Sequence, residues 1–375
     1  MPPRAFDVGV IGLGALGAAI AWRLSRRGVR VVGFDRYEPP HTMGSTHGHS
    51  RIIREAYYEH PLYVPIVQDA YRLWSELETA ARTRIFQACG GLMIGAPDSE
   101  LIRGAAESAR RHGLAVQEWT AGDIRARVSA LTPSADMTGL FESRAGVLAP
   151  EKAVTAMLGL AAAGGADLRF GQTVREWSRT SAGLRVVTED GRAVEVGQIA
   201  IAAGGWLPSM TPDLALPLRI ERAVQYWFPQ AEDGRFIPAR FPIFLLERPD
   251  GRLLYGLPDQ GHGVKLAEHH HGEVGPLESL RRDVSAGETE DFVSFARPWV
   301  AGLQSPSSSA VCFYTNTPDS HFILDRHPGE PAAYLVSACS GHGFKFAPAL
   351  GEIVADELAG RTSALLAPFR LSRFH

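Results

Sequence analysis

Cysteine is scarce: the 375 residues contain three, Cys89, Cys312 and Cys339. An odd, sparse set excludes a disulfide framework and fits a reducing compartment. None of the spacings suits a cysteine metal motif, and no metal is expected. Neither sign of charge dominates. Lys and Arg number 38 against 41 Asp and Glu, a formal net charge of −3, which gives no pull toward nucleic acid or a membrane surface. Long apolar runs are missing; the stretch 8–20 is too short for a membrane span and is broken by glycines. Residues 1–7 lack the charged segment, apolar run and cleavage site of a secretory leader, and residues 372–375 carry no address, so a cytoplasmic protein is expected. There is no internal repeat and no low-complexity tract. The hydrophobic share of 45% is enough for a full core. The length suits one α/β protein of two intimate domains.

The clearest local pattern lies near the N-terminus. Residues 7–11 are an apolar β run, Gly12-Leu13-Gly14-Ala15-Leu16-Gly17 follows, 18–27 has helical spacing, and 29–34 is a second apolar strand ending at Asp35. A GxGxxG turn between a strand and a helix is a dinucleotide site. Gly12 permits the tight turn, Gly14 admits a pyrophosphate, and Gly17 lets the helix approach the strand. The helix N-terminus offers N–H donors to the phosphates. Asp35, 18 residues beyond Gly17, is placed to accept from ribose hydroxyls. The motif alone does not separate NAD from FAD. Its N-terminal position, with a later apolar strand at 199–203 running into Gly204-Gly205, favours FAD.

Further along, helices are expected at 66–79, 99–112, 120–128, 150–163, 278–297 and 348–358. Strands are expected at 90–95, 168–170, 174–178, 184–188, 193–196, 199–203, 223–228, 243–246 and 334–338. The order implies a discontinuous Rossmann-type nucleotide domain with an inserted, mostly antiparallel β-sheet domain. The expected boundaries are 1–85, 145–215 and 320–375 for the first, and 86–144 and 216–319 for the second.

Four clusters could carry chemistry. In 44–54, Arg51 and Arg54 share a face only if the segment is helical. Guanidinium groups suit a carboxylate, while two isolated arginines are by themselves better read as solvated. A hairpin centred on Gln260 would set Tyr255 opposite Lys265, with Lys265, Ala267 and His269 on one face. Lysine is rarely buried, so that face reads as the outer one. The run His269-His270-His271 has no partner motif and reads as a solvated turn. In 311–319, Cys312 has no role on pattern alone, and in 340–346 the glycines permit close backbone approach to a ligand.

These clusters, in this order, resemble the monomeric sarcosine oxidase and N-methyltryptophan oxidase family over essentially the whole chain. The resemblance rests on the glycine turn, on 39–54, on Lys265, and on 312–319 and 340–346. It implies an FAD-dependent oxidase of a small secondary amino acid or amine, releasing hydrogen peroxide, monomeric, with oxygen as acceptor. It also implies residue roles. Cys312 matches the cysteine that holds FAD through a thioether at the 8α-methyl. Lys265 matches the lysine beside flavin N5 that promotes reaction with oxygen. Arg54 and Lys345 match the pair that binds the substrate carboxylate. Arg51 and His47 match groups beside the ring, and Tyr255, His269 and Tyr314 match the cavity wall. Arg36, Ser45, Gly204, Gly341 and Gly343 stand at further cofactor-contact positions. The chain departs from the pattern at Thr46 and His49, where histidine and aspartate are expected, and at Cys339, where an aromatic residue is expected. It also departs across 220–228. These departures bear on substrate identity more than on chemistry.

Overall fold

The computed structural model describes residues 6–374; the readings placed on residues 1–5 and on His375 lie outside the described residues. The strand Phe6–Ile11 is apolar because it runs between two parallel neighbours, Val31–Phe34 and the second half of Ala193–Ile201. Parallel neighbours need a crossover, and the helix Ala15–Ser25 supplies it. The sheet continues through Leu184–Thr188 to Val174–Arg179 on one edge and to Asp167–Arg169 on the other. Glu330–Ser337 joins it parallel to the end of Ala193–Ile201, and Ile323–His327 pairs with that strand. Helices Ala15–Ser25, Pro150–Ala163, Tyr63–Ala81 and Ala347–Leu358 contribute to one apolar core with Val8 and Val10 of the first strand.

A second sheet has eight strands in the order Ser308–Asn316, Arg219–Phe228, Val264–His269, Leu253–Leu257, Ile243–Glu247, Gly91–Gly95, Thr138–Glu142 and Val116–Thr120. Among its neighbours only Ile243–Glu247 and Gly91–Gly95 run parallel. Alternation along these strands separates two kinds of residue. Tyr226, Phe228, Phe244, Leu254, Val264 and Leu266 point one way and form a core with Phe292 and Phe295 of the helix Ala286–Ala296. Each such side chain contributes roughly 1.5–3 kcal/mol by leaving water. The residues between them, Leu245, Tyr255, Lys265 and Gln225 among them, point the other way and line a cavity. A small sheet of Arg51–Ile53, Gly146–Leu148 and Phe86–Ala88 completes the framework. The fold is α/β, with a Rossmann-type parallel sheet and a mostly antiparallel one. No helix among the described residues is long and apolar enough to cross a membrane.

Three local expectations are corrected. Residues 193–196 and 199–203 are not separate strands: Ala193–Ile201 is continuous, because neighbours along both halves keep Gly197 in the ladder. The helix expected over 278–297 starts only at Ala286. Ser285 fixes that start as a capping box, accepting from the Glu288 N–H while Glu288 accepts from the Ser285 N–H. In the hairpin, Lys265 pairs with Leu257, and Tyr255 with Ala267. Asp259 Oδ1 accepts from the N–H groups of Gly261 and Gly263, at 2.7 and 2.8 Å, and centres the turn one residue later than expected. That displaces the partner by two positions, so Tyr255 and Lys265 keep a common face.

Candidate active site

One cavity is lined by residues of both large sheets. Its first end is the glycine turn. Gly12 has φ +88°, and a methyl group there would lie 2.6 Å from the Ala202 carbonyl oxygen; one on Gly17 would lie 1.7 Å from the Gly12 oxygen. Turn and helix therefore touch through backbone that no side chain could separate. Gly14 differs: the nearest atom to an added Cβ is Thr46 Oγ1, at 3.6 Å, so it opens to the cavity. It is also the N-cap of Ala15–Ser25 and brings no side-chain cap, which suits an anion at that helix end. Asp35 lines the same end. Its Oδ2 accepts from the Leu13 N–H at 2.8 Å and its Oδ1 from the Tyr37 N–H at 2.9 Å. A carboxylate offers about four acceptor sites, so capacity for ribose hydroxyls remains. Arg36 and Gly204 stand beside it.

The cavity wall fits a long polar ligand. Ser337 Oγ and Thr315 Oγ1 belong to lining residues and are buried without a hydrogen-bond partner among the described residues. Each such atom costs about 1–3 kcal/mol when left unpaired. A dinucleotide with its pyrophosphate on the helix and its ring system deeper in would relieve that cost.

Deeper in, the second sheet presents its polar face. Lys265 is 2% exposed, so the outer-face expectation is overturned. Its Nζ donates to the carbonyl oxygens of Gly48, at 3.1 Å, and Ser50, at 2.9 Å, and lies 5.6 Å from the centre of the Trp227 ring. Burial and the nearby Arg51 hold its ammonium well below the usual lysine range. The loop 45–50 is shaped to meet it. Arg51 donates to the carbonyl oxygens of Ser45, His47 and Ser50, and Ser45 Oγ donates to that of Phe313. His47, in this loop, is buried with its Nε2 unpartnered among the described residues; burial, Arg51 and Lys265 push it down to about 4, so it is neutral. Cys312 is buried on the same face, packed with Ala223, Tyr314 and Cys339.

The far end holds the other cations. Arg51–Ile53 is a strand and not a helix, so Arg51 and Arg54 do not share a face, and each has its own partners. Arg54 is 1% exposed, which overturns its reading as a solvated arginine. It donates to the Glu59 carboxylate and to the Ala56 carbonyl, both at 2.7 Å. Lys345 donates to the His342 carbonyl at 2.8 Å and to the Tyr57 hydroxyl at 3.2 Å. The two cations lie 4.5 and 5.0 Å from the centre of one ring, that of Tyr57. Burial, helped by Arg54 and opposed by Glu59, brings Lys345 down to about 7. Burial tends to raise the Glu59 carboxyl, but Arg54, His342 and Lys345 outweigh it and hold it low.

His269 belongs to this end and not to a solvated turn. It is buried, with its ring 5.7 Å from that of Tyr314 and 6.2 Å from that of Tyr255. Burial and the surrounding His270, His342, Lys345 and Arg54 keep it neutral. Burial likewise raises Tyr255 to about 12. Its neighbour His270 pairs with Glu221 at 3.0 Å.

The structure therefore brings Lys265, Arg51, Tyr255, His269, Tyr314, Arg54, Lys345, Cys312, Ser45, Gly341 and Gly343 to one cavity with Gly12, Gly14, Asp35, Arg36 and Gly204. Gly17 and His47 support it from outside the wall. Four residues were missed. Glu59 lies five residues past Arg54, in the turn after the aromatic pair Tyr57-Tyr58. Tyr57 and His342 carry Lys345: the His342 Nε2 lies 3.0 Å from the Ser320 carbonyl and its Nδ1 2.6 Å from the Tyr57 hydroxyl. Burial pushes His342 to about 4, so a neutral ring donates to Ser320 and accepts from Tyr57. Gln225 is the fourth. Its sequence signal is a lone amide in an otherwise apolar strand, Ala223 to Phe228.

Residues 7–357 match the FAD dependent oxidoreductase family. The chain is 40% identical to monomeric sarcosine oxidase of Streptomyces avermitilis over 98% of both chains. It is 36% identical to N-methyl-L-tryptophan oxidase of Salmonella typhimurium, over 98% of this chain and 99% of that one. Among solved structures it shares its fold with NikD, an unusual amino acid oxidase essential for nikkomycin biosynthesis (TM-score 0.84, 23% identity, 96% of each chain). It does so too with glycine oxidase from Geobacillus kaustophilus (TM-score 0.82, 21% identity, 99% of each chain). The glycine cradle and the polar cavity have the place such a cofactor needs, and the chain belongs to the family of FAD-dependent oxidoreductases, among the relatives of monomeric sarcosine oxidase and N-methyltryptophan oxidase.

Proposed function

We propose that this chain is an oxidase of a secondary amino acid, N-methyl or cyclic, with sarcosine as the first candidate, giving an imine that hydrolyses in water and hydrogen peroxide. The observation that carries this is the pair of buried cations Arg54 and Lys345 at one end of a cavity that also holds Lys265. Bound FAD supplies the ring that takes two electrons from the C–H bond beside nitrogen and passes them to oxygen. The protein's part is to bind, orient and exclude water. Arg54 and Lys345 anchor the carboxylate, which fixes the rest of the substrate and lowers the barrier by positioning. The cavity also carries neutral groups, His269, Tyr255 and Tyr314. With two cations close by, they favour the neutral amine, and only that form has a lone pair to assist loss of the hydride. Lys265 would hold its proton beside the negative charge that develops on oxygen. The segments 1–85, 145–215 and 320–375 would form the FAD unit and the rest the substrate unit, in a monomeric cytoplasmic enzyme.

The test is a panel of sarcosine, N-methyltryptophan, proline and pipecolate with peroxide detection in air. Peroxide formed with at least one is expected; turnover only with an artificial electron acceptor would replace the oxidase reading by a dehydrogenase. The 36% identity to an N-methyl-L-tryptophan oxidase favours including the large substrate.

Covalent attachment of FAD at Cys312 belongs to the same reading. Its support is the buried position of that thiol on the cavity wall; burial pushes it up, and Arg51 and Lys265 oppose that rise in part. Acid-precipitated native protein is expected to keep its yellow colour, and Cys312→Ala to release all its flavin into the supernatant. Release from the native protein would refute the attachment.

A further inference from the structure

Gln225 has no part in the scheme above. It is 1% exposed and lines the cavity, yet neither its Nε2 nor its Oε1 has a hydrogen-bond partner of ordinary geometry among the described residues. Its backbone partners are Ala310 on one side and Ala267 on the other. On the cavity face, Cys312 is the next residue past Ala310 and Lys265 the next before Ala267. The amide therefore stands diagonally between the sulfur and the ammonium. Its oxygen lies toward Gly48, where an added Cβ would come within 2.3 Å of Oε1. Gly48 is also an acceptor for Lys265. With the oxygen on that side, the NH2 end of the planar group is left for the sulfur. Burial pushes the Cys312 thiol up, and Arg51, Lys265 and the Gln225 amide act in the opposite sense. The residues across both ladders, Ala267 and Ala310, have no polar side-chain atom that could do this instead.

We propose that Gln225 is a positioning residue for covalent attachment of the flavin at Cys312, its amide N–H groups holding the sulfur in place and favouring the thiolate. This rests on the reading of Cys312 given above. Attachment breaks the Cys312 S–H bond and one C–H bond of the flavin 8α-methyl and forms the S–C bond. The two protons and two electrons released pass to O2, giving hydrogen peroxide. The thiolate is the reactive form of cysteine, so the group that steadies it governs how fast the bond forms.

The test follows attachment itself, not turnover. Native protein, Gln225→Leu and Gln225→Glu are each incubated with FAD in air, sampled, precipitated with acid, and the flavin retained in the pellet is measured against time. Native protein is expected to retain its flavin from the first sample. Both variants are expected to attach it at least tenfold more slowly. Gln225→Glu keeps the shape of the side chain but presents no N–H donor and repels a thiolate, so its slowing marks the hydrogen bond and not the packing. Attachment by Gln225→Glu at the native rate overturns the proposal, whatever Gln225→Leu does. Release of flavin by the native protein refutes the Cys312 reading itself, so the two failures are told apart.

Discussion

Replacing Lys265 by Met is expected to slow the reaction of the reduced enzyme with oxygen by about 10²–10³-fold, the range found when one preorganised donor to a developing oxyanion is removed. Reduction by substrate should change only a few-fold. The reason lies in how Lys265 is held. Two carbonyl oxygens fix its Nζ, and burial with Arg51 makes its ammonium costly. On the proposed reading, a negative charge arriving beside it would reverse that cost, and the lysine would be worth far more when oxygen takes up an electron than in the resting protein. Methionine fills the same space against Trp227 without charge or donors. Stopped-flow traces of the two half-reactions, anaerobic with substrate and then with oxygen, separate the effects. Equal slowing of both halves would show that Lys265 only supports the cavity, and the role assigned to it would be lost.

Arg54→Ala is expected to raise the Kd of a carboxylate inhibitor that lacks an amine at least 100-fold, about 3 kcal/mol at 1.4 kcal/mol per tenfold. More is lost than one charge-assisted hydrogen bond of about 1.5–3 kcal/mol. Without Arg54 the Glu59 carboxylate faces the cavity with its closest cation gone, and it repels the ligand. The double variant Arg54→Ala/Glu59→Gln should therefore bind more tightly than Arg54→Ala alone. Lys345 adds a pH signature. A carboxylate binds its charged form, and that form is lost as pH rises through about 7. The inhibitor should weaken above neutrality, with Kd rising up to tenfold per pH unit, and Lys345→Met should bind more weakly with that slope gone. Native-like inhibitor affinity in Arg54→Ala, measured by flavin difference spectra, would remove the clamp from the mechanism.

What was legible in the sequence was mostly local. Gly12, Gly14, Gly17 and Asp35 lie within one βαβ unit, and their spacing alone determines which backbone atoms meet. The helix Pro150–Ala163 was read to the residue because a proline opens it and two glycines follow it. Lys265 could not be placed from its own neighbours. Its strand reads with Val264 and Leu266 inward and Lys265 outward, and only packing against 45–50 buries the polar face as well. The two arginines read as solvated because, three apart, they share a face only on a helix; the chain here is a strand that turns just after Ile53, and burial against Glu59 is what takes Arg54 out of water. Glu59 escaped because a carboxylate in a turn is ordinarily solvated, and nothing nearby in sequence reveals that it closes on Arg54. Gln225 was visible as an oddity, but an amide in an apolar strand acquires meaning only when Cys312 and Lys265 arrive from other strands.

The alternation of the second sheet has a consequence for how this enzyme can vary over time. Lys265, which touches the cavity, lies between Val264 and Leu266 of the opposite core. Substitutions on one side leave the other intact, so substrate preference can drift while the scaffold is preserved. Insertion or deletion of a single residue within the strand has no such freedom: it would turn Leu266 toward the cavity and Lys265 into the aromatic core, abolishing chemistry and stability together. Length changes in this family member should be tolerated in the 258–263 turn and purged from the strands on either side of it.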